Sequence, residues 1–173
     1  MALFGDNPRE EMDRHRFPLL VYLLVPLLAV LLQAYLPLRF PRFAVLDLPL
    51  LVTIYFSVTR RAPIHGTLLG AAIGLTQDAL THLPLGINGT IKAIVGYLAA
   101  STGLRIDVEN PGTRLLMVFF FSLMASLLHQ FIVRYLLGME QEWRMLHELL
   151  RAVVNAPVAV VLFALLDRLR QGD

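Results

Sequence analysis

The chain has 173 residues, 57% of them hydrophobic and 16% charged, with a net charge of +2 and no cysteine. A soluble domain carries about 45–50% apolar and about 25% charged residues, and the excess here recurs along the whole length, so a polytopic membrane protein is expected rather than a soluble core. Lack of cysteine excludes disulfides, thiolate nucleophiles, iron–sulfur clusters and cysteine-based zinc sites.

Mean hydropathy is +0.64 and the pI is 9.3. That basicity does not point to nucleic acid, because the arginines cluster at the ends of apolar runs, where they report topology. The first run, 17–36, follows Arg14, His15 and Arg16 as the core of a signal peptide would. It is longer than the about 7–15 residues of such a core and no A-x-A site follows, so a retained span is expected. Pro26 lies in mid-span, where neighbouring helices can re-satisfy the freed carbonyl.

The second run, 46–59, opens with "LDLP", where Asp47 is placed to cap and Pro49 fits the first turn. It is short for a span. The third covers 64–80 and the fourth 87–104. Gly66, Gly70 and Gly74 recur every four residues in the third, and Asp78 continues their ridge next to Gln77. The fourth repeats the pattern with Gly89, Lys92 or Ala93, Gly96, Ala100 and Gly103. Small residues at that period let helices approach closely, so the two runs should form an antiparallel hairpin about the turn Pro84, Leu85 and Gly86. The ridge serves either this packing or a homodimer.

Asp78 and Lys92 then lie at depths differing by about 4–5 Å, at roughly 1.5 Å per residue. A salt bridge between them, or a hydrogen bond to an Asn, would offset the cost, about 2.5–3.5 kcal/mol, of a lone charge in hydrocarbon. Otherwise Asp78 caps the amides of the turn and Lys92 snorkels to the headgroups. The fifth run, 115–137, contains "FFF" at 119–121, expected to face lipid. Ser122, Ser126 and His129 or Gln130 share one face of it, as interhelical hydrogen-bond glue or, for His129, as the lining of a polar cavity. Between it and the sixth run, 149–166, which carries Asn155, lies "GMEQEWRMLHE". That segment reads equally as an interfacial amphipathic helix or as a solvated loop anchored by Trp143.

The expected layout is residues 1–16 as a cytoplasmic segment, 17–167 as a single six-transmembrane-helix domain, and 168–173 as a cytoplasmic tail. With the N-terminus inside, nine arginines fall on inner segments and five on outer ones (Arg39, Arg42, Arg134, Arg144 and Arg151), which favours both termini in the cytoplasm. No phosphate loop, nucleophile elbow or zinc-protease motif is present, and the histidines lack ligand spacing. No catalytic, cofactor-binding or metal-binding residue is expected.

The stretch "DLPLLVTIYFSVTRRAPIHGTLLGAAIGLTQDALTHLPLGINGTIKAIVGYLAA" resembles the rod shape-determining protein MreD family, and "AVVNAPVAVVLFALLDRLR" looks like that family's last span. Asp78 followed by Leu85–Gly86 is the more specific element, although the residues after the aspartate are less rich in serine and glycine than in that family. The resemblance implies a non-enzymatic, cofactor-free, inner-membrane scaffold of the bacterial elongation machinery. It would bind MreC and work with MreB, RodA and a class B penicillin-binding protein in lateral peptidoglycan synthesis. It also implies an all-α membrane fold similar to the substrate-binding subunits of energy-coupling-factor transporters. Contacts are expected at Pro84, Leu85, Gly86 and Trp143 outside, and at Arg60–Arg61 and 105–114 inside. The rival reading is such a vitamin-type transporter subunit, with Asp78, Lys92, His129 and Asn155 lining an outward pocket.

Overall fold

A computed structural model describes residues 19–81, 84–106, 108, 110–138 and 145–169. Among them are six α-helices and no strand. Helix α1 spans Leu19–Arg39, α2 Leu48–Arg60, α3 Pro63–Thr81, α4 Ile87–Gly103, α5 Pro111–Phe131 and α6 Met145–Leu169. A 3-10 turn, Pro41–Val45, links α1 to α2, and α5 ends in a π-helical turn over Ile132–Leu136. Helices α1, α5 and α6 are long and apolar enough to cross a membrane. The protein is an all-α membrane protein, and the second run is short, as its sequence indicated. Its 13 residues give about 20 Å at 1.5 Å per residue, short of the ~30 Å hydrocarbon core.

What α2 lacks in length it recovers in burial. Pro49 through Val58 are all buried, as expected of a helix that is apolar all round. Asp47 caps its start, its Oδ1 accepting from the Leu50 amide at 3.0 Å. Its end is set by Arg61 in the left-handed region (φ 52°), whose amide donates to the Ser57 carbonyl at 3.1 Å. Polar residues inside the helices are largely self-satisfied: Thr53, Thr59, Thr67 and Thr81 each donate to the carbonyl four residues earlier.

The expected hairpin forms from α3 and α4. A Cβ on Gly66, Gly70 or Gly74 would collide with the carbonyls of Gly96, Lys92 or Asn88, and one on Gly96 with that of Gly66. Gly89 faces the Leu75 side chain. The glycine ridge is thus spent within the chain, and a homodimer through that face is excluded by occupancy. Around this hairpin, α2 is the central post, α1 covers α2 and α3, and α6 packs on α5. Phe120 faces outward with 63% exposure, whereas Phe121 packs against the core; the "FFF" stretch is therefore only partly lipid-facing. Of the segment "GMEQEWRMLHE", residues 139–144, including Trp143, lie outside the described residues, and from Met145 the chain is already in α6.

Candidate functional site: a buried polar chain and its cavity

Because α2 is six residues shorter than α3, its N-terminus ends about 9 Å below the outer end of the hairpin, at 1.5 Å per residue. Asp47 is consequently sunk to the depth of Lys92, the sixth residue of α4. Lys92 is 1% exposed and contacts both carboxylate oxygens of Asp47 at 3.4 Å. It also donates to Asn88 Oδ1 at 3.3 Å. The Asn88 side-chain amide in turn donates to Asp78 Oδ1 at 2.8 Å. Asp78 and Lys92 therefore do not form the salt bridge expected of them: Asn88 stands between, donating to one and accepting from the other. Nor does Lys92 snorkel.

Asp78 follows the capping alternative. It is fully buried, and its Oδ2 accepts from the amides of Gly86 at 2.9 Å and Gly89 at 3.2 Å, while Oδ1 also accepts from the Asn88 amide at 3.2 Å. A carboxylate from α3 thus satisfies donors that α4's own first turn leaves open, and fixes the turn where Gly86 adopts φ 103°. Pro84 and Leu85 are exposed, Leu85 by 73%.

The segment 45–48 is held from two further sides. Gln33 of α1 donates to the Leu46 carbonyl at 2.8 Å and accepts from the Leu48 amide at 3.1 Å. Asn155 of α6 accepts from the Asp47 amide at 3.1 Å and donates to the carbonyls of Val45 at 3.3 Å and Arg151 at 2.9 Å. One continuous polar chain, Asp78–Asn88–Lys92–Asp47–Asn155, therefore crosses the bundle from α3 to α6. Gln33 and the role of Asp47 beyond capping were not foreseen. The only hint was a run of polar groups at similar depth.

Asp47, Asn88 and Asn155 of this chain border a cavity of about 140 Å3. Gln77, Asn88, Ser122, Ser126, His129 and Asn155 supply much of its polar lining. Ser122 Oγ and Gln77 Oε1 are buried and make no hydrogen bond to any described residue. This face of α5, with Ser122, Ser126 and His129, lines the cavity. Of the four residues expected around an outward pocket, His129 and Asn155 line it and Asp78 and Lys92 do not. The volume is below the about 300–1,000 Å3 of small-ligand pockets. Among the described residues no group of three acidic or histidine side chains could hold a metal ion.

A second polar cluster lies toward the other end of the bundle. Arg114 of α5 pairs with Asp167 of α6 at 2.6 Å and donates to the Val108 carbonyl at 2.6 Å, while Tyr55 of α2 donates to Asp167 at 2.8 Å. Opposite charges at facing ends of antiparallel runs were its overlooked signature.

The family model for the rod shape-determining protein MreD matches residues 13–171, nearly the full length. The chain belongs to the MreD family. No curated protein and no solved structure matches it, so the likeness to transporter subunits rests on resemblance alone. Membership assigns the molecule a role in rod shape determination. Its buried carboxylate turn and glycine-packed hairpin are the structural content of the stretch that first carried the resemblance.

Proposed function

We propose that this MreD-family protein is a non-enzymatic scaffold of the cytoplasmic membrane that binds MreC, with RodA, a class B penicillin-binding protein and MreB joining in a larger complex. The family match over residues 13–171 carries this reading. A scaffold needs a stiff frame and outward surfaces. The frame is the α3–α4 hairpin, locked by backbone contact and by Asp78. The surfaces are the exposed turn at Leu85 and the start of α6, where Met145 and Leu146 are 70% and 71% exposed. Exposed apolar groups gathered at a rim suit protein contact. The glycine face of α3 offers no outward surface because α4 covers it.

Co-purification with tagged MreC in mild detergent tests the proposal. The wild-type chain should elute with MreC, and Leu85→Asp or Trp143→Ala should reduce recovery while leaving the helical circular dichroism unchanged. Failure of the wild-type chain to retain MreC would refute it. Retention of a vitamin-sized molecule instead would favour the transporter reading.

A further inference from the structure

The start of α1, the end of α2 and the start of α3 meet around a second cavity of about 270 Å3. Tyr22, Phe56, Arg60, His65, Leu68 and Leu69 line it. Their register orders the slot along the membrane normal. Arg60 is the last residue of α2 and His65 the third of α3, so the basic groups lie at the mouth. Phe56 lies one turn deeper in α2, and Leu68 and Leu69 one turn or more deeper in α3. The Arg60 guanidinium rests 5.4 Å from the Tyr22 ring centroid. Arg61, exposed in the tight turn, adds a second charge at the same level.

Among the described residues, charge at this mouth is one-sided. Between Asp47 and Asp78 the sequence contains no acidic residue, and none lies in α1. Among the described residues no acid pairs with Arg60 or Arg61. The flank beside the slot is apolar and open: Leu20 and Leu23 are 67% and 65% exposed, and Ile64 and Leu68 74% and 64%. Basic mouth, apolar shaft and hydrocarbon-facing flank are the order of parts in a phospholipid. The volume approaches twice the ~150 Å3 that accommodates a benzene ring, enough for a length of acyl chain.

We propose that this slot binds one anionic phospholipid, its acyl chain between α1 and α3 and its phosphate on Arg60, Arg61 and His65. Basic pockets between helices at a membrane face recognise anionic headgroups by this chemistry. A zwitterionic lipid would fill the shaft equally well but bring a compensating positive charge to the mouth. The inference does not depend on the partner reading.

Native mass spectrometry of the full chain, stripped of lipid and titrated with dioleoyl phosphatidylglycerol or dioleoyl phosphatidylcholine, tests it. One phosphatidylglycerol should bind about tenfold or more tightly than phosphatidylcholine. The preference should vanish in Arg60→Gln/Arg61→Gln and persist in Arg60→Lys/Arg61→Lys, which separates lost charge from lost folding. Leu68→Trp, an exposed position at the shaft, should lower the affinity for both lipids, and Arg134→Gln should leave both unchanged. Equal affinity for the two lipids in the wild-type chain, or a preference surviving the double Gln change, overturns the proposal.

Discussion

Asp78 shows why one buried carboxylate is tolerated in so apolar a chain. It accepts four hydrogen bonds, three from backbone amides at the start of α4. Removing the acceptor leaves those donors buried and unpaired, and Asp78→Ala should destabilise the protein by about 2–4 kcal/mol, combining a lost cap with unsatisfied amides. Titration of the purified protein with denaturing detergent, followed by circular dichroism, reads this directly. Lys92 poses the complementary case. Its pair with Asp47 lies in a buried setting, where a single truncation leaves the other charge stranded. Lys92→Met alone should therefore be costly, whereas Lys92→Met combined with Asp47→Asn should recover much of the loss. The same titration on a double-mutant cycle should give a coupling of about 1–3 kcal/mol; additive effects would mean that the two charges do not sense each other.

At the scale of elements, the α3–α4 hairpin is set by absent side chains. Alanine is the better helix former by about 1 kcal/mol in an isolated helix, so Gly70→Ala or Gly74→Ala would be stabilising if the positions faced lipid. Here the added methyl meets the backbone of α4, which cannot rotate away. Destabilisation of about 1–3 kcal/mol or more is expected from overpacking, and thermal unfolding in detergent should show a lower midpoint. Gly86→Ala tests a different cause. Nothing lies near its Cβ, but its φ of 103° is a left-handed conformation that costs an L-residue about 1–2 kcal/mol.

Element boundaries were legible in the sequence because punctuation is local: Asp47 and Pro49 open α2, and the Pro-Leu-Gly turn separates α3 from α4. The glycine period announced the hairpin for the same reason. The polar chain was less legible. Lys92 and Asp47 are 45 positions apart and Asp47 and Asn155 108, and their meeting depends on how far the short α2 is sunk. Depth of that kind is a property of the assembled bundle and leaves no periodic trace. Reading Asp78 and Lys92 as each other's nearest opposite charge overlooked Asp47, which the short α2 brings to Lys92.

For the whole molecule, the decisive quantity is which way the bundle faces. Both candidate partner surfaces, the Leu85 turn and the entry to α6, lie at the end holding the polar chain, while Arg60 and Arg61 lie at the end with the Arg114–Asp167 pair. Chain direction fixes these two ends relative to each other, and we propose, from the excess of arginine on segments at the Arg60 end, that this end faces the cytoplasm. The lack of native cysteine makes the test direct, since any introduced thiol is the sole target. Leu85→Cys and Arg61→Cys both replace exposed residues in turns, so neither disturbs packing. With a membrane-impermeant maleimide on intact spheroplasts, the Leu85→Cys variant should label at once and the Arg61→Cys variant only after lysis. The reverse pattern would turn the bundle over, placing the Leu85 surface on the cytoplasmic side and removing the outer contact proposed for MreC.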